Sequence, residues 1–195
     1  MKQCIKSSKQ VFTETDLRRK PVSVVSIAWS AFQERNISTN STIALVGAGQ
    51  IIGTFAKFLE DAGYENIHVY NRSLENAEVI ASRFPNGHVH AMEAFYNSPI
   101  DAHSWIICTG STDYLMGEEM ISKLSDKTQF VIDLAMPGNV HPSIKNKKNI
   151  GFFDMNSIQK ITSENIAFRA QALEQCEPII VSGLIEHRHM VQERK

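Results

Sequence analysis

At 195 residues with a formal net charge of −1, the chain is long enough for one well-buried domain with an appendage, and it has no global field that would hold a polyanion. Its 43% hydrophobic and 21% charged residues exclude a disordered or fibrous protein. No apolar run approaches the roughly 18 residues of a membrane span, and the N-terminus lacks the apolar core of a signal peptide. Three cysteines, Cys4, Cys108 and Cys176, lie far apart without metal-ligand spacing, which suits a reducing compartment and makes the cytoplasm the expected location.

Residues 1–21 are polar and read as a short helix, a turn and a connector ending at Pro21. Any nucleic-acid contact would be local, through Lys9, Arg18, Arg19 and Lys20, a run read first as solvated charge. From Val22 to Arg35 the residues Val24, Val25, Ala28, Trp29 and Phe32 recur at helical spacing, so an amphipathic helix with Trp29 in its core face is expected.

The apolar run Thr42–Val46 reads as a buried strand that breaks into Gly47-Ala48-Gly49-Gln50-Ile51 before a helical pattern from about Gln50 to Ala62. This is the form of a dinucleotide-binding turn. Gly47 permits the tight strand-to-helix turn, and Gly49 lacks the Cβ that would keep a pyrophosphate from the backbone N–H groups at the helix start. The third glycine of the usual fingerprint is replaced by Ile52, with Gly53 one residue later, so helix and strand are expected to stand slightly further apart.

A second strand, Ile67–Tyr70, runs into Asn71-Arg72-Ser73, where the ribose is read in such folds. An NAD site wants a carboxylate there. An amide, a guanidinium and a hydroxyl instead donate to a 2′-phosphate, which favours NADP(H); Ser73 also suits the N-cap of the next helix, Leu74–Phe84.

Beyond Pro85-Asn86-Gly87 a short strand near His88–His90 continues the sheet. His88 and His90 share a strand face, but no third ligand is in view and no metal site is expected. After a helical turn near Met92–Tyr96, the strand Ser104–Cys108 ends in Thr109-Gly110-Ser111, a small-residue loop that can admit a cofactor close to the backbone. Cys108 reads as an inert small hydrophobe.

A helix near Gly117–Leu124 leads to the strand Phe130–Leu134 and the loop Ala135–Pro142, with Asp133 either a site residue or a cap on the loop's N–H groups. A sixth strand spans Ile150–Asp154. From Asn156 onward Ile158, Ile161, Ile166, Leu173, Ile180 and Leu184 mark one long helix, with Pro178 expected to kink it. The alternation of strands and helices predicts an α/β doubly wound parallel sheet, organised as a connector (1–21), an NADP(H)-binding domain (22–154) and a long C-terminal helix (155–195).

Taken together, Thr13-Glu14-Thr15, Val22-Ser23-Val24, Gly47-Ala48-Gly49, Asn71-Arg72-Ser73, Thr109-Gly110, Asp133-Leu134-Ala135-Met136-Pro137 and Asp154 before the long helix resemble, in order and spacing, the middle of glutamyl-tRNA reductase. The resemblance implies an NADPH-dependent oxidoreductase that reduces glutamyl-tRNA to glutamate-1-semialdehyde, at the start of tetrapyrrole (porphyrin) synthesis. It also implies a preceding catalytic domain with a cysteine nucleophile and a homodimer built on the long helix. Around Cys4 the threonine-cysteine-asparagine-arginine motif of that nucleophile is missing, so no catalytic residue is expected in these 195 residues. Where the family has an arginine and an acid after Pro137, this chain has Gly138 and Asn139, and His141 replaces a further acid.

Two other readings stand beside this one. One is a non-catalytic dinucleotide-binding or interaction module pairing through its terminal helix. The other is an NADP oxidoreductase of the shikimate-dehydrogenase type, which would need a catalytic lysine and aspartate in a substrate domain that the residues before Thr42 are too few to form.

Overall fold

A computed structural model describes residues 2–15 and 20–192, leaving Arg18, Arg19 and the side chain of Cys4 outside the described residues. The helices are α1 (Lys2–Glu14), α2 (Val24–Gln33), α3 (Gln50–Asp61), α4 (Leu74–Ala81), α5 (Met92–Asn97), α6 (Glu118–Lys123) and α7 (Met155–Gln192). The strands are β1 (Ile43–Val46), β2 (Asn66–Asn71), β3 (Asn86–Ala91), β4 (Ser104–Ile107), β5 (Phe130–Asp133) and β6 (Gly151–Asp154). The chain divides into two compact units, Val24–Gln159 and Met1–Ser23 with Lys160–Lys195.

In the first unit all strand pairs are parallel, in the order β3-β2-β1-β4-β5-β6. This is the expected doubly wound sheet, with the strand order reversing between β1 and β4. Strands β1, β4 and β5 are buried throughout, because helices cover both faces and an apolar run is then favoured over alternation. On one face Ala44, Val46, Trp105, Ile107 and Val131 form a core with Phe95 of α5 and Ile121 of α6. Near α2 and α3 the half-buried ring of Trp29 stacks on Phe32 at 5.5 Å and meets Phe55 edge-on at 5.7 Å, so it packs against the core from the helix face read from its spacing.

At the β2–β3 edge three histidines form a ladder. His68 Nδ1 lies 2.8 Å from His90 Nε2, and His68 stacks on His88 at 4.5 Å. Among the described residues no group of three or more His, Cys, Asp or Glu is arranged to hold a metal. Burial, together with the charges of His88 and His90, holds His68 down at about 4, and burial also lowers His90. His68 therefore stays neutral in the fold down to about 4, whereas unfolded histidine protonates near pH 6.5, so its contribution to stability is full above about 6.5 and is lost as pH falls towards about 4. Urea midpoints followed across that interval should fall steadily for the wild type and less steeply for His68→Gln; parallel slopes would show that the ladder does not set them.

The second unit pairs α1 with the later part of α7. Asn165, Ala172, Cys176 and Gly183 are buried in α7, and a Cβ at Gly183 would come within 2.1 Å of Ser7 Oγ, so small residues set a close helix approach. Cys176 Sγ contacts the Ala172 carbonyl at 3.2 Å and Thr15 Oγ1 at 3.7 Å. Asn165 donates to the Pro21 carbonyl and Arg169 to that of Lys20.

The short helix expected near the N-terminus runs over Lys2–Glu14, so Cys4, read as part of a connector, lies within it. On α7 the stripe residues Ile166, Leu173, Ile180 and Leu184 are 47–64% exposed, and the small residues on another face make the contact with α1. Helix α7 continues across Pro178, the long ladders on either side carrying it past one missing donor.

Candidate dinucleotide-binding site

Where the strand order reverses, β1 ends in Gly47, whose φ of +106° only glycine adopts without strain. A Cβ there would stand 2.2 Å from the Cys108 carbonyl oxygen, while the Gly47 N–H donates to the Tyr70 carbonyl at 2.8 Å. Gly47 therefore stitches the ends of β1, β2 and β4 together. Gly49 differs. It has an extended φ of −80°, caps α3 without a side chain, and a Cβ added to it would meet no atom within 4 Å. Nothing in the chain's own packing requires a glycine there, which is what a site shaped for close approach of a ligand to the α3 N-terminus would show. Ile52, in place of the third glycine, is fully buried, and Gly53 has open space around it.

A cleft of about 860 Å³ opens at this point, within the size range of small-molecule sites. Gly47, Ala48, Gly49, Gln50 and Ile51 line one side, Asn71 and Arg72 the end near β2, and Thr109, Gly110 and Ser111 the other side. Ser73, the remaining residue singled out from the sequence, does not line it. Its hydroxyl accepts from the Asn76 N–H as the N-cap of α4, and its carbonyl accepts from Asn71 Nδ2 at 2.9 Å. The Asn71 amide thus braces the turn instead of facing outward with its donors. Arg72 is exposed and takes part in no hydrogen bond or ion pair among the described residues.

Several contributors were not singled out from the sequence. Met92, Glu93 and Tyr96 bring α5 to the cleft. Asn139 is fully buried, and its Oδ1 accepts from Thr109 N–H at 3.2 Å and Thr109 Oγ1 at 2.8 Å. Its Nδ2 donates to the carbonyls of Ser111 at 3.0 Å and Asp113 at 3.3 Å. One amide therefore holds the Thr109–Asp113 loop; a lone polar residue between Gly138 and Val140 was the available signal.

Asp133, left open between two roles, caps its own loop: its carboxylate accepts from Ala135 N–H at 3.1 Å and Val140 N–H at 2.9 Å, with burial raising its pKa. It also lines a smaller hollow of about 260 Å³ at the carboxyl ends of β5 and β6, with Tyr114, Met136, Lys145 and Asp154. Cys108 faces the large cleft, but burial and the nearby Asp133 push its thiol up to about 11, and its Sγ–H points to the Leu134 carbonyl at 3.4 Å. A thiol held that high is protonated at neutral pH, which disfavours it as a nucleophile.

Residues 27–161 match the family described as Shikimate / quinate 5-dehydrogenase. The chain belongs to that family. The likeness to glutamyl-tRNA reductase read from the motifs is borne out by curated relatives and solved structures. The glutamyl-tRNA reductase of Geobacter sulfurreducens is 29% identical over 89% of this chain and 41% of its own length. Among solved structures, the glutamyl-tRNA reductase of Methanopyrus kandleri superposes with a TM-score of 0.78 at 21% identity, covering 98% of this chain and 49% of that one. The nucleotide binding domain of the Thermoplasma volcanium glutamyl-tRNA reductase gives 0.56 at 19% identity over 77% and 98% of the two chains. These two share the fold. The chain thus spans about 41% of the length of the curated relatives it matches first. No helix among the described residues is long and apolar enough to cross a membrane.

Proposed function

We propose that these residues form the NADPH-binding domain of a glutamyl-tRNA reductase, which reduces glutamyl-tRNA to glutamate-1-semialdehyde in tetrapyrrole (porphyrin) synthesis. The observation that carries the cofactor reading is the cleft at the β1/β4 switch point, with a glycine at position 49 that the fold itself does not require and an Arg72 guanidinium, without a partner among the described residues, where an NAD site has a carboxylate. NADPH would supply the hydride. Gly49 and the first N–H groups of α3 would hold the pyrophosphate, and Arg72 the 2′-phosphate. Glu93 also brings a carboxylate to the cleft, but from α5 and not from the end of β2. The Thr109–Ser111 loop, held by Asn139, would keep the far wall in shape.

The thiolate that attacks the aminoacyl ester would come from outside these 195 residues, since Cys4 lacks the surrounding motif, burial keeps Cys108 protonated and Cys176 is buried in a helix contact. A shikimate-type reading rests on the shared family match of residues 27–161, which spans the cofactor-binding fold. Titration decides the cofactor. NADPH is expected to bind more tightly than NADH, and Arg72→Ala to lose about 1.5–3 kcal/mol for NADPH, some ten- to a hundredfold in Kd, with little change for NADH. Equal wild-type affinities would overturn the assignment.

The exposed Ile166, Leu173 and Ile180 recur every seven residues along α7, the spacing of a helix–helix seam, and are proposed to pair with a second copy of the chain. Light scattering should then report a dimer that Leu173→Glu converts to a monomer; a monomeric wild type at high concentration would refute the pairing.

A further inference from the structure

Strands β2 and β3 run parallel with Asn71 opposite Ala91, so the chain leaves the sheet towards Arg72 and towards Met92 on neighbouring strands, about 4.8 Å apart. Arg72 from one exit, and Met92, Glu93 and Tyr96 from the other, line the same dinucleotide cleft. Met92 is half-buried, whereas Glu93 and Tyr96 are exposed, Tyr96 to 56%.

Glu93 stands in the first turn of α5, where the helix dipole favours an acid. That accounts for its charge but not for its place. Among the described residues its carboxylate makes no hydrogen bond or ion pair, although a guanidinium lines the same cleft. A carboxylate with unspent acceptors therefore borders the end of the cleft where the ribose is read. In NADPH the adenine base is carried on the ribose carbon next to the one bearing the 2′-phosphate. With Arg72 holding that phosphate, the base lies beside it, between the α5 residues and the opposite wall of Thr112 and Leu115. Adenine presents a donor there, its 6-amino group, beside ring nitrogens that only accept.

We infer that Glu93 selects the adenine base of the cofactor, its carboxylate accepting from the 6-amino group while Met92 and Tyr96 cover a face of the ring. The inference rests on the NADPH reading of the cleft and adds base recognition to it. A dinucleotide whose base carries a 6-oxo group sets an oxygen against the carboxylate, leaving two acceptors opposed without a donor between them.

The hypoxanthine analogue of NADPH, which differs from it only at that edge of the base, is titrated beside NADPH into the full chain by calorimetry. NADPH is expected to bind about tenfold more tightly to the wild type, the weight of one charge-assisted hydrogen bond in a partly exposed site. In Glu93→Gln the two dissociation constants should come within about threefold of each other, because an amide can turn to donate to the 6-oxo group. Tyr96→Ala and Arg72→Ala should weaken both ligands alike and leave their ratio unchanged, since neither a ring face nor a phosphate contact reads the base edge. Each ratio is taken within one variant, so a change in folding does not imitate the effect. Equal wild-type affinities, or an undiminished preference in Glu93→Gln, overturn the role of Glu93 and leave the NADPH reading standing. Saturable binding of neither dinucleotide overturns the cofactor reading and this inference with it.

Discussion

Gly47→Ala should lose about 3 kcal/mol or more, because a Cβ at φ +106° is strained and would sit 2.2 Å from the Cys108 carbonyl, which is backbone and cannot rotate away. Against a total stability of about 5–15 kcal/mol, such a loss places the variant near unfolding. Gly49→Ala is its control. The added methyl meets nothing within 4 Å at an extended φ, so the cost should be no more than about 1 kcal/mol, that of a poorer N-cap. Thermal melts separate the two: a large drop in Tm for Gly47→Ala, a small one for Gly49→Ala, and loss of nucleotide binding in the second despite its intact fold. Equal Tm values for both variants would mean that the turn is looser than its geometry indicates.

Asn139→Leu is expected to be nearly as damaging. The leucine keeps the bulk but removes an acceptor used twice by Thr109 and a donor pair used by the Ser111 and Asp113 carbonyls. A buried group left without its partner costs about 1–3 kcal/mol, so a loss of about 2–4 kcal/mol is expected, since the Asp113 end is exposed and water can replace part of it. Asn139→Asp should rescue little: its carboxylate can still accept from Thr109 but faces two carbonyls that need donors. Urea midpoints give the stability, and amide hydrogen exchange at Thr109 and Ser111 locates it. If Asn139→Leu leaves those amides as protected as in the wild type, the amide is not what holds the loop.

The fold was legible because the strands are continuous apolar runs separated by strong breaks such as Pro85-Asn86-Gly87, and a strand buried on both faces needs little more to be recognised. The dinucleotide turn was legible because its glycines are local: Gly47 and Gly49 act through their own backbone. Asn71, Ser73 and Asn139 show the limit. Residue type announces donors and acceptors but not their direction, and both Asn71 and Ser73 spend hydrogen-bonding capacity on the backbone at the start of α4. Asn139 acts on a loop some thirty residues away in sequence, a partnership that only the adjacency of β4 and β5 creates. The α1 contact on α7 was not legible for a related reason. Apolar spacing marks a face, but the α1 contact is made by Ala172, Cys176 and Gly183, whose smallness and not hydrophobicity sets the approach.

The central claim is that the switch-point cleft holds NADPH. Titration of the protein with NADPH, followed by backbone amide resonances, tests it most directly. Saturation at one equivalent, with the largest shifts at Gly49, Gln50, Ile51, Arg72 and Thr109–Ser111 and none along the distal part of α7, is the predicted result. No saturable binding at millimolar NADPH, or shifts that bypass Gly49 and Arg72, would contradict it.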